Sequence, residues 1–557
     1  MHTHLRANVW PTESLLKTEL WQAPQVSELG EVSYLRAESI SKAYGLNLKD
    51  IATLTPKFWK LHQDPILCID GAATTLLTIH YNLCLGTLST YLPRRNDLYP
   101  LAQSLAEYQT IGQFCLTEVS HGLDAFNLGT TATLHEDGSF DLHCPTAANA
   151  KYMPPTIPVL SRPCIAIVFA QLVVDGEKRG IRPFVVTLND GKSMSKGISA
   201  QLVPTRHGAA PVNHAITRFE HVTLPSAALL GDLEKSDSPH QDFLQAIWRV
   251  AVGTLSLSAT TIPLLQIATL IAFKYSVRRK IGGPDGAPLP IISFRTQQMP
   301  IFHAAAQVYV LQALSKHIIL RFVDTTADHR MRHAAATIFK AATMRQFQTL
   351  HLELSERCGA QGLFAYNQIA SQLSDFRGMT IAEGDILVLS IRLATELLLG
   401  RYSLPPAADP ESLLAKHETS LFDEYRDIAR KHGHRSKAFA SLVLPRCLSL
   451  VEAVGARMAY EAALAEGVPK PLVDIYVTHT IREDLSWYVE AGMLTRASHM
   501  EKENDAFEAA FPVMGGYING MGAAPFVRAP IVSDAKWEQF LKTLRVFKPP
   551  VSSAVRL

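Results

Sequence analysis

Cysteine is sparse and shows no pairing pattern. The seven residues (Cys68, Cys84, Cys115, Cys144, Cys164, Cys358 and Cys447) are odd in number and nowhere form a Cys-x-x-Cys pair. That distribution argues against a structural zinc and fits a reducing compartment. Neither sign of charge is in excess: 53 Lys and Arg stand against 51 Asp and Glu, a net +2. Nucleic acid and an anionic membrane surface are therefore not the expected partners. Charged residues make up only 19% and hydrophobic ones 47% of 557 residues, which excludes disorder and allows about three or four domains with large cores. There is no Walker loop, no Gly-x-Ser-x-Gly elbow and no tandem repeat. Met1 to Trp10 lack the apolar run of a secretory signal. The terminal Ala554-Val555-Arg556-Leu557 is a weak variant of a Ser-Lys-Leu address, so an intracellular, peroxisomal or cytoplasmic, location is expected.

One apolar run, Val252 to Phe273, is long enough to cross a bilayer. It carries Thr254, Ser256, Ser258, Thr260, Thr261, Pro263 and Gln266, so a helix buried in a bundle is expected instead and no membrane span. Residues 1 to 110 read as helical, with Ser33–Tyr44, Gly71–Gly86 and Leu101–Tyr108 as clear segments. Residues 111 to 235 read as strands. Thr130–Leu134 and Phe140–Cys144 flank an Asp137-Gly138 turn, and Ile165–Val174, Arg182–Leu188 and Ala215–Leu224 follow. From 236 to 404 the long helices Phe243–Ser276, Gln298–Thr325, His333–Arg357 and Ile386–Arg401 predict an antiparallel four-helix bundle. Pro405 to Pro410 reads as a linker, and 411 to 557 as a second helical domain with Leu413–Lys431, Ser436–Glu466 and Pro471–Met493. The fold class is α+β, mainly α: a helical N-terminal domain, a central β-barrel-like domain, a four-helix bundle and a C-terminal helical domain.

Candidate chemistry concentrates between Arg357 and Gly384. Gly359, Gly362 and Gly384 permit close backbone approach or positive φ, and Glu383 stands where a loop enters an apolar helix. A carboxylate partly stripped of water there has a raised pKa and can act as a base. An acidic first turn of a helix explains the same residues, and taken alone is the favoured explanation. His329 and His333 stand four apart with no further ligand nearby, which predicts surface histidines and no metal site. Gly515-Gly516-Tyr517-Ile518-Asn519-Gly520-Met521-Gly522 follows a helix rather than a strand, so it is not a dinucleotide fingerprint.

Four segments, in order, carry a resemblance to the acyl-CoA dehydrogenase and oxidase superfamily, and to its acyl-CoA oxidase branch. Phe114-Cys115-Leu116-Thr117-Glu118, followed by Thr130 to Thr133, resembles the family's flavin-side Thr-Glu loop. Asn213 to Pro225 is similar to the strand that closes its β domain. Tyr275-Ser276-Val277-Arg278-Arg279-Lys280-Ile281-Gly282, with Phe294-Arg295-Thr296-Gln297-Gln298, resembles the pair that grips the dinucleotide across a subunit interface. Cys358-Gly359-Ala360-Gln361-Gly362 and Glu383-Gly384-Asp385 resemble the glycine loop and the oxidase form of the catalytic Glu-Gly motif. The resemblance implies FAD, with Thr117, Arg278 (Arg279 as the alternative), Gln298, Gly359 and Gly362 as cofactor contacts and Glu383 as catalytic base. It further implies α,β-desaturation of an acyl thioester, on CoA or a carrier protein, with O2 as acceptor, in a homodimer. Two positions depart from the pattern: Pro155 follows Lys151-Tyr152-Met153-Pro154 where the family tends to have Gly, and Leu123 stands where it often has Thr or Ser. A same-fold enzyme acting on a non-thioester, a dehydrogenase using an electron-transfer protein, and a scaffold without flavin are the alternative expectations.

Overall fold

In the computed structural model, residues 10–23 and 30–548 are described; the readings of the first nine residues and of the terminal tetrapeptide lie outside them. The class is α+β, mainly α. Helices precede the strands, the strands lie between Ile111 and Leu224, and helices follow to Thr543. The N-terminal helices include Glu31–Tyr44 and Gly71–Thr78, the latter continuing as a π-helical segment, Ile79–Leu85. A π segment widens the turn and commonly marks a functional position.

The strands are β1 (Ile111–Cys115), β2 (Thr131–Leu134), β3 (Phe140–His143), β4 (Lys151–Tyr152), β5 (Cys164–Val174), β6 (Glu177–Asn189), β7 (Ile198–Leu202), β8 (Ala215–Phe219) and β9 (Val222–Leu224). β5 is the spine. β6 pairs antiparallel along one edge, while β1 and then β2 pair parallel along the other. β3 joins β2 and β9 joins β3, and a separate sheet runs β4-β8-β7. The β2–β3 hairpin closes through Gly138 at φ +84, as its Asp-Gly pair requires. Asp175 and Gly176, both at positive φ, close the β5–β6 hairpin by the same device. The expected single strand Ala215–Leu224 is instead two, because His221 at φ +50 turns the chain and sends β9 to the other sheet.

The expected helix Phe243–Ser276 is likewise three: Pro239–Ala246, Trp248–Ala259 and Thr261–Arg278. Ile247 leaves helical values at φ −97, ψ 17, and Pro263 has no N–H to give the carbonyl of Ala259. The apolar window within Trp248–Arg278 is wholly buried inside the protein. Its hydroxyls bond back to the helix, Ser258 to Thr254 O at 2.6 Å and Ser276 to Ala272 O at 2.6 Å, which is how a polar-rich helix survives burial. Arg295–Val323 and His329–Arg357 pack against it, and Ile386–Leu398 packs against His329–Arg357. Cys447–Ala465 lies against three of these helices and so fastens the C-terminal part to the bundle. Ser436–Glu466 is broken at Val443–Arg446, where Pro445 starts a new turn. The glycine-rich run begins inside the helix Arg496–Asn519, not after a strand.

The strand region is pinned by one buried ion pair. Lys151 Nζ contacts Glu118 Oε1 at 3.1 Å, both side chains wholly inaccessible, and also donates to the carbonyl of Phe169 at 2.8 Å. Glu118 accepts from the amides of Gly129 at 2.8 Å and Thr130 at 2.9 Å. Burial alone would raise the Glu118 carboxyl, but Lys151 and these donors hold it down to about 2. Lys151→Met leaves that charge unmatched inside the protein. It should destabilise the fold by about 3–5 kcal/mol, read as a lowered denaturant midpoint, whereas Lys235→Met at an exposed pair with Glu177 should cost about 1 kcal/mol or less.

Candidate active site

Glu383 is one of the few non-glycine residues at positive φ (+54), a conformation that costs about 1–2 kcal/mol for an L-residue. Side chains from two helices hold it there. Lys340, buried in His329–Arg357, donates to the carbonyls of Ala382 (2.8 Å) and Gly384 (2.6 Å). Thr254 Oγ1, in Trp248–Ala259, lies 2.5 Å from the carbonyl of Glu383 itself. Asp385 then caps the next helix, accepting from the amides of Leu387 (2.9 Å) and Val388 (3.2 Å). The Glu383 amide N–H has no hydrogen-bond partner among the described residues.

The residue is half-buried as a whole, but its carboxylate turns inward onto Gly253, where a Cβ would fall 0.9 Å from Oε2. Only glycine leaves that notch. Asn82 Nδ2, on the π segment, reaches the same oxygen at 3.3 Å. Burial pushes the Glu383 carboxyl up to about 8, against the downward pull of Lys340, Arg249 and Asn82. Burial also lowers Lys340 to about 8, opposed by Glu383 and Asp385, and Arg249 to about 9, opposed by Glu383. Near neutrality the carboxyl therefore exchanges a proton at small cost, which is the property a general base needs.

The remaining sequence-selected residues lie elsewhere. Thr117 follows β1, is half-buried, and accepts through its carbonyl from the amide of Tyr152 at 2.9 Å, so the segments 116–118 and 151–152 run side by side. Arg278 ends its helix at a cleft of about 230 Å³ that it shares with Tyr275, Arg279, Lys280, Gln361 and Trp537. Within the chain its guanidinium is paired with Asp534 and bonded to Ile531 O at 3.1 Å. The structure thus brings Arg278 together with the Gly359–Gly362 loop. Gly359, at φ +57, has an open face, whereas a Cβ on Gly362 would lie 1.9 Å from the carbonyl of Ser355. Gln298 is buried with both ends used, donating to Ile292 O at 2.9 Å and accepting from Arg295 at 2.9 Å. Leu123 is exposed and Pro155 buried.

The histidine expectation is corrected in part. His329 is exposed, but His333 is half-buried, and burial together with Arg392 and His329 lowers it to about 3. Among the described residues no group of three or more His, Cys, Asp or Glu is placed to hold a metal. Asn82, Arg249, Gly253, Thr254 and Lys340 were not selected from the sequence. Arg249 and Lys340 did leave a signal, as lone cations inside otherwise apolar helical runs.

The architecture is that of the acyl-CoA oxidases. Acyl-CoA oxidase 3 from Yarrowia lipolytica superposes with a TM-score of 0.83 at 18% identity, covering 97% of this chain and 89% of that one. Acyl-CoA oxidase-1 from Caenorhabditis elegans, solved in complex with FAD and ATP, gives 0.72 at 15% identity, covering 92% and 90%. In sequence, residues 252–398 match the family described as acyl-CoA oxidase, C-alpha1 domain. The human peroxisomal acyl-coenzyme A oxidase 3 is 27% identical over 403 residues, 66% of this chain and 56% of the human one. Acyl-coenzyme A oxidase 1 of Yarrowia lipolytica is 24% identical over 373 residues, 60% and 54% respectively. The chain spans about half the length of the curated relatives it matches. These matches place it in the acyl-CoA dehydrogenase and oxidase superfamily, on the oxidase branch.

A carboxyl whose folded pKa is raised from its ordinary 4.5 to about 8 favours the fold while protonated. The associated stability is complete below about 4.5 and is lost as pH rises through about 8. Glu383→Gln, which mimics the neutral form, should therefore match wild type at pH 5 and melt roughly 2–4 °C higher at pH 8.5. Equal melting temperatures at both pH values would mean that Glu383 titrates as it does in water.

Proposed function

We propose that this chain is an FAD-dependent, acyl-CoA oxidase-like enzyme that introduces an α,β double bond into an acyl thioester, on CoA or a carrier protein, and delivers the electrons to O2. The observation that carries the reading is the Glu383 carboxylate: buried against Gly253, raised to about 8, and held on a left-handed residue by Lys340 and Thr254. The names of the relatives support the substrate class and a peroxisomal, intracellular location. The divisions at 110/111, 235/236 and 404/411 belong to this reading, as does a homodimer.

The residues at the Arg278 cleft fit a dinucleotide. Three cationic side chains surround it with one carboxylate, and a guanidinium fork matches a diphosphate. Arg278 and Arg279 would hold the phosphates, the open face of Gly359 would allow close approach, and Thr117 would contact the ring system. Gln298, with both ends bonded inside the chain, serves by bracing Ile292 and Arg295. When bound, FAD supplies a two-electron acceptor for the β-hydride and passes the electrons to oxygen, giving peroxide.

The protein's own part is acid–base and electrostatic. Glu383 removes the α-proton in its ionised form, so flavin reduction should rise with pH toward about 8 in the free enzyme. The unpartnered N–H of Glu383 is available to the thioester oxygen, where negative charge develops. Lys340 and Thr254 fix the three carbonyls around it, so the amide and carboxylate of one residue keep a fixed relation to each other.

Anaerobic stopped-flow with an acyl-CoA tests the assignment. Glu383→Gln should bind flavin and fold as wild type does, with bleaching slowed at least about 10²–10⁴-fold. Glu383→Asp should keep part of the rate. Asp385→Asn should lower stability by about 1 kcal/mol through its cap and leave the chemistry nearly unchanged. Wild-type bleaching in the Gln variant would assign the base elsewhere. Purified protein should be yellow and dimeric and should form peroxide; reduction of an artificial dye without peroxide would move it to the dehydrogenases.

A further inference from the structure

Among the described residues five lysines and arginines are buried: Arg36, Lys151, Arg249, Lys340 and Arg457. Three hold a carboxylate: Arg36 with Asp70 at 2.9 Å, Lys151 with Glu118 at 3.1 Å, and Arg457 with Glu418 at 2.6 Å. Arg249 and Lys340 hold none within ion-pair distance, and both face Glu383. Lys340 has its task, since its ammonium clamps the carbonyls on either side of Glu383. Arg249 has no comparable one.

Its Nε donates to Asn82 O at 3.1 Å and one amino group to Ile51 O at 2.8 Å, with Phe58 under the guanidinium at 5.9 Å. Peptide carbonyls solvate a guanidinium without neutralising it, and Arg stays charged. The other amino group has no partner among the described residues. The fold makes room for this side chain, because a Cβ on Gly86 would lie 2.0 Å from its Nε. Gly86 stands four residues from Asn82, whose side chain touches the Glu383 carboxylate, so the two charges are separated by about one helical turn, roughly 5–6 Å.

The charge balance gives the consequence. One buried carboxylate faces two buried cations, and that carboxylate is the group that becomes neutral when it takes a proton. An uncompensated buried charge costs several kcal/mol unless a counter-charge arrives with a ligand. Building on the function proposed above, we propose that the acyl group this site takes carries a second carboxylate a few carbons beyond the reacting positions, and that Arg249 receives it. The substrate class is then an ω-carboxyacyl thioester, and Arg249 is a specificity-determining residue.

The test compares thioesters of equal length that end in methyl or carboxylate: hexanoyl- against adipoyl-CoA, and octanoyl- against suberyl-CoA. Anaerobic flavin reduction gives selectivity, and calorimetric binding of the corresponding 2-enoyl-CoAs gives affinity without turnover. Wild type should favour the carboxylate form about 10-fold or more at one length in both measurements, the smaller end of what a charge-assisted bond supplies. Arg249→Met should bring the ratio to within about 3-fold of unity, and Arg249→Lys should retain part of it. Preference for the methyl-ended partner at both lengths overturns the inference, as does a Met variant that slows both forms equally. Should Arg249→Met fail to fold, with the Ile51 and Asn82 carbonyls left open, the wild-type ratios and the Lys variant decide. Absence of flavin reduction by every thioester would sink the proposed reaction instead, while the binding ratios would still judge Arg249.

Discussion

Three consecutive carbonyls, those of Ala382, Glu383 and Gly384, are each held by a side chain from a neighbouring helix, and the site depends on that restraint. Without it the left-handed backbone of Glu383 would relax toward ordinary helix or extended values, because nothing local favours it. Charge-assisted bonds from a buried ammonium are worth about 1.5–3 kcal/mol each, enough to offset the strain of one such residue. The bundle thus does more than bury apolar surface. Its two long helices are the frame across which a single side chain is aimed.

Two carboxylates in this chain show which effect wins where. Both Glu118 and Glu383 are buried, so burial raises both. Glu118 has an ammonium in direct contact and several short donors, and the balance falls to about 2. Glu383 has one long contact from a neutral amide, with its cations held off by their own carbonyl partners, and the balance rises to about 8. The difference is contact geometry, not depth. The first group is fixed as an anion and serves the architecture; the second remains able to take a proton.

What could be read from the sequence follows from which constraints are local. The Asp137-Gly138 hairpin, the helix Glu31–Tyr44 and the cap at Asp385 each depend on residues a few positions apart, and each was legible. Glu383 was legible too, but only as one of two readings until the other motif segments joined it. Its surroundings were not. Asn82 lies 301 positions away and Thr254 lies 129 away, and no spacing rule connects them. The break at Ile247 and the turn at His221 were missed because period and propensity continue through both, while tertiary packing sets the angles. Gln298 matched a motif by position, yet its amide is spent on Ile292 and Arg295, which only coordinates reveal.

A scaffold that had lost its chemistry would be expected to shed its unmatched buried charges, since replacing them with apolar groups of similar volume is often stabilising. This chain keeps Arg249 and Lys340 without carboxylate partners, and it keeps glycine at 86 and 253, where a side chain would displace Arg249 and Glu383. Each choice lowers stability, the glycines through helix propensity and the cations through desolvation. All four converge on the same carboxylate. Stability given up at one point and matched by Asp70, Glu118 and Glu418 elsewhere in the chain marks that point as the place where the protein does its work.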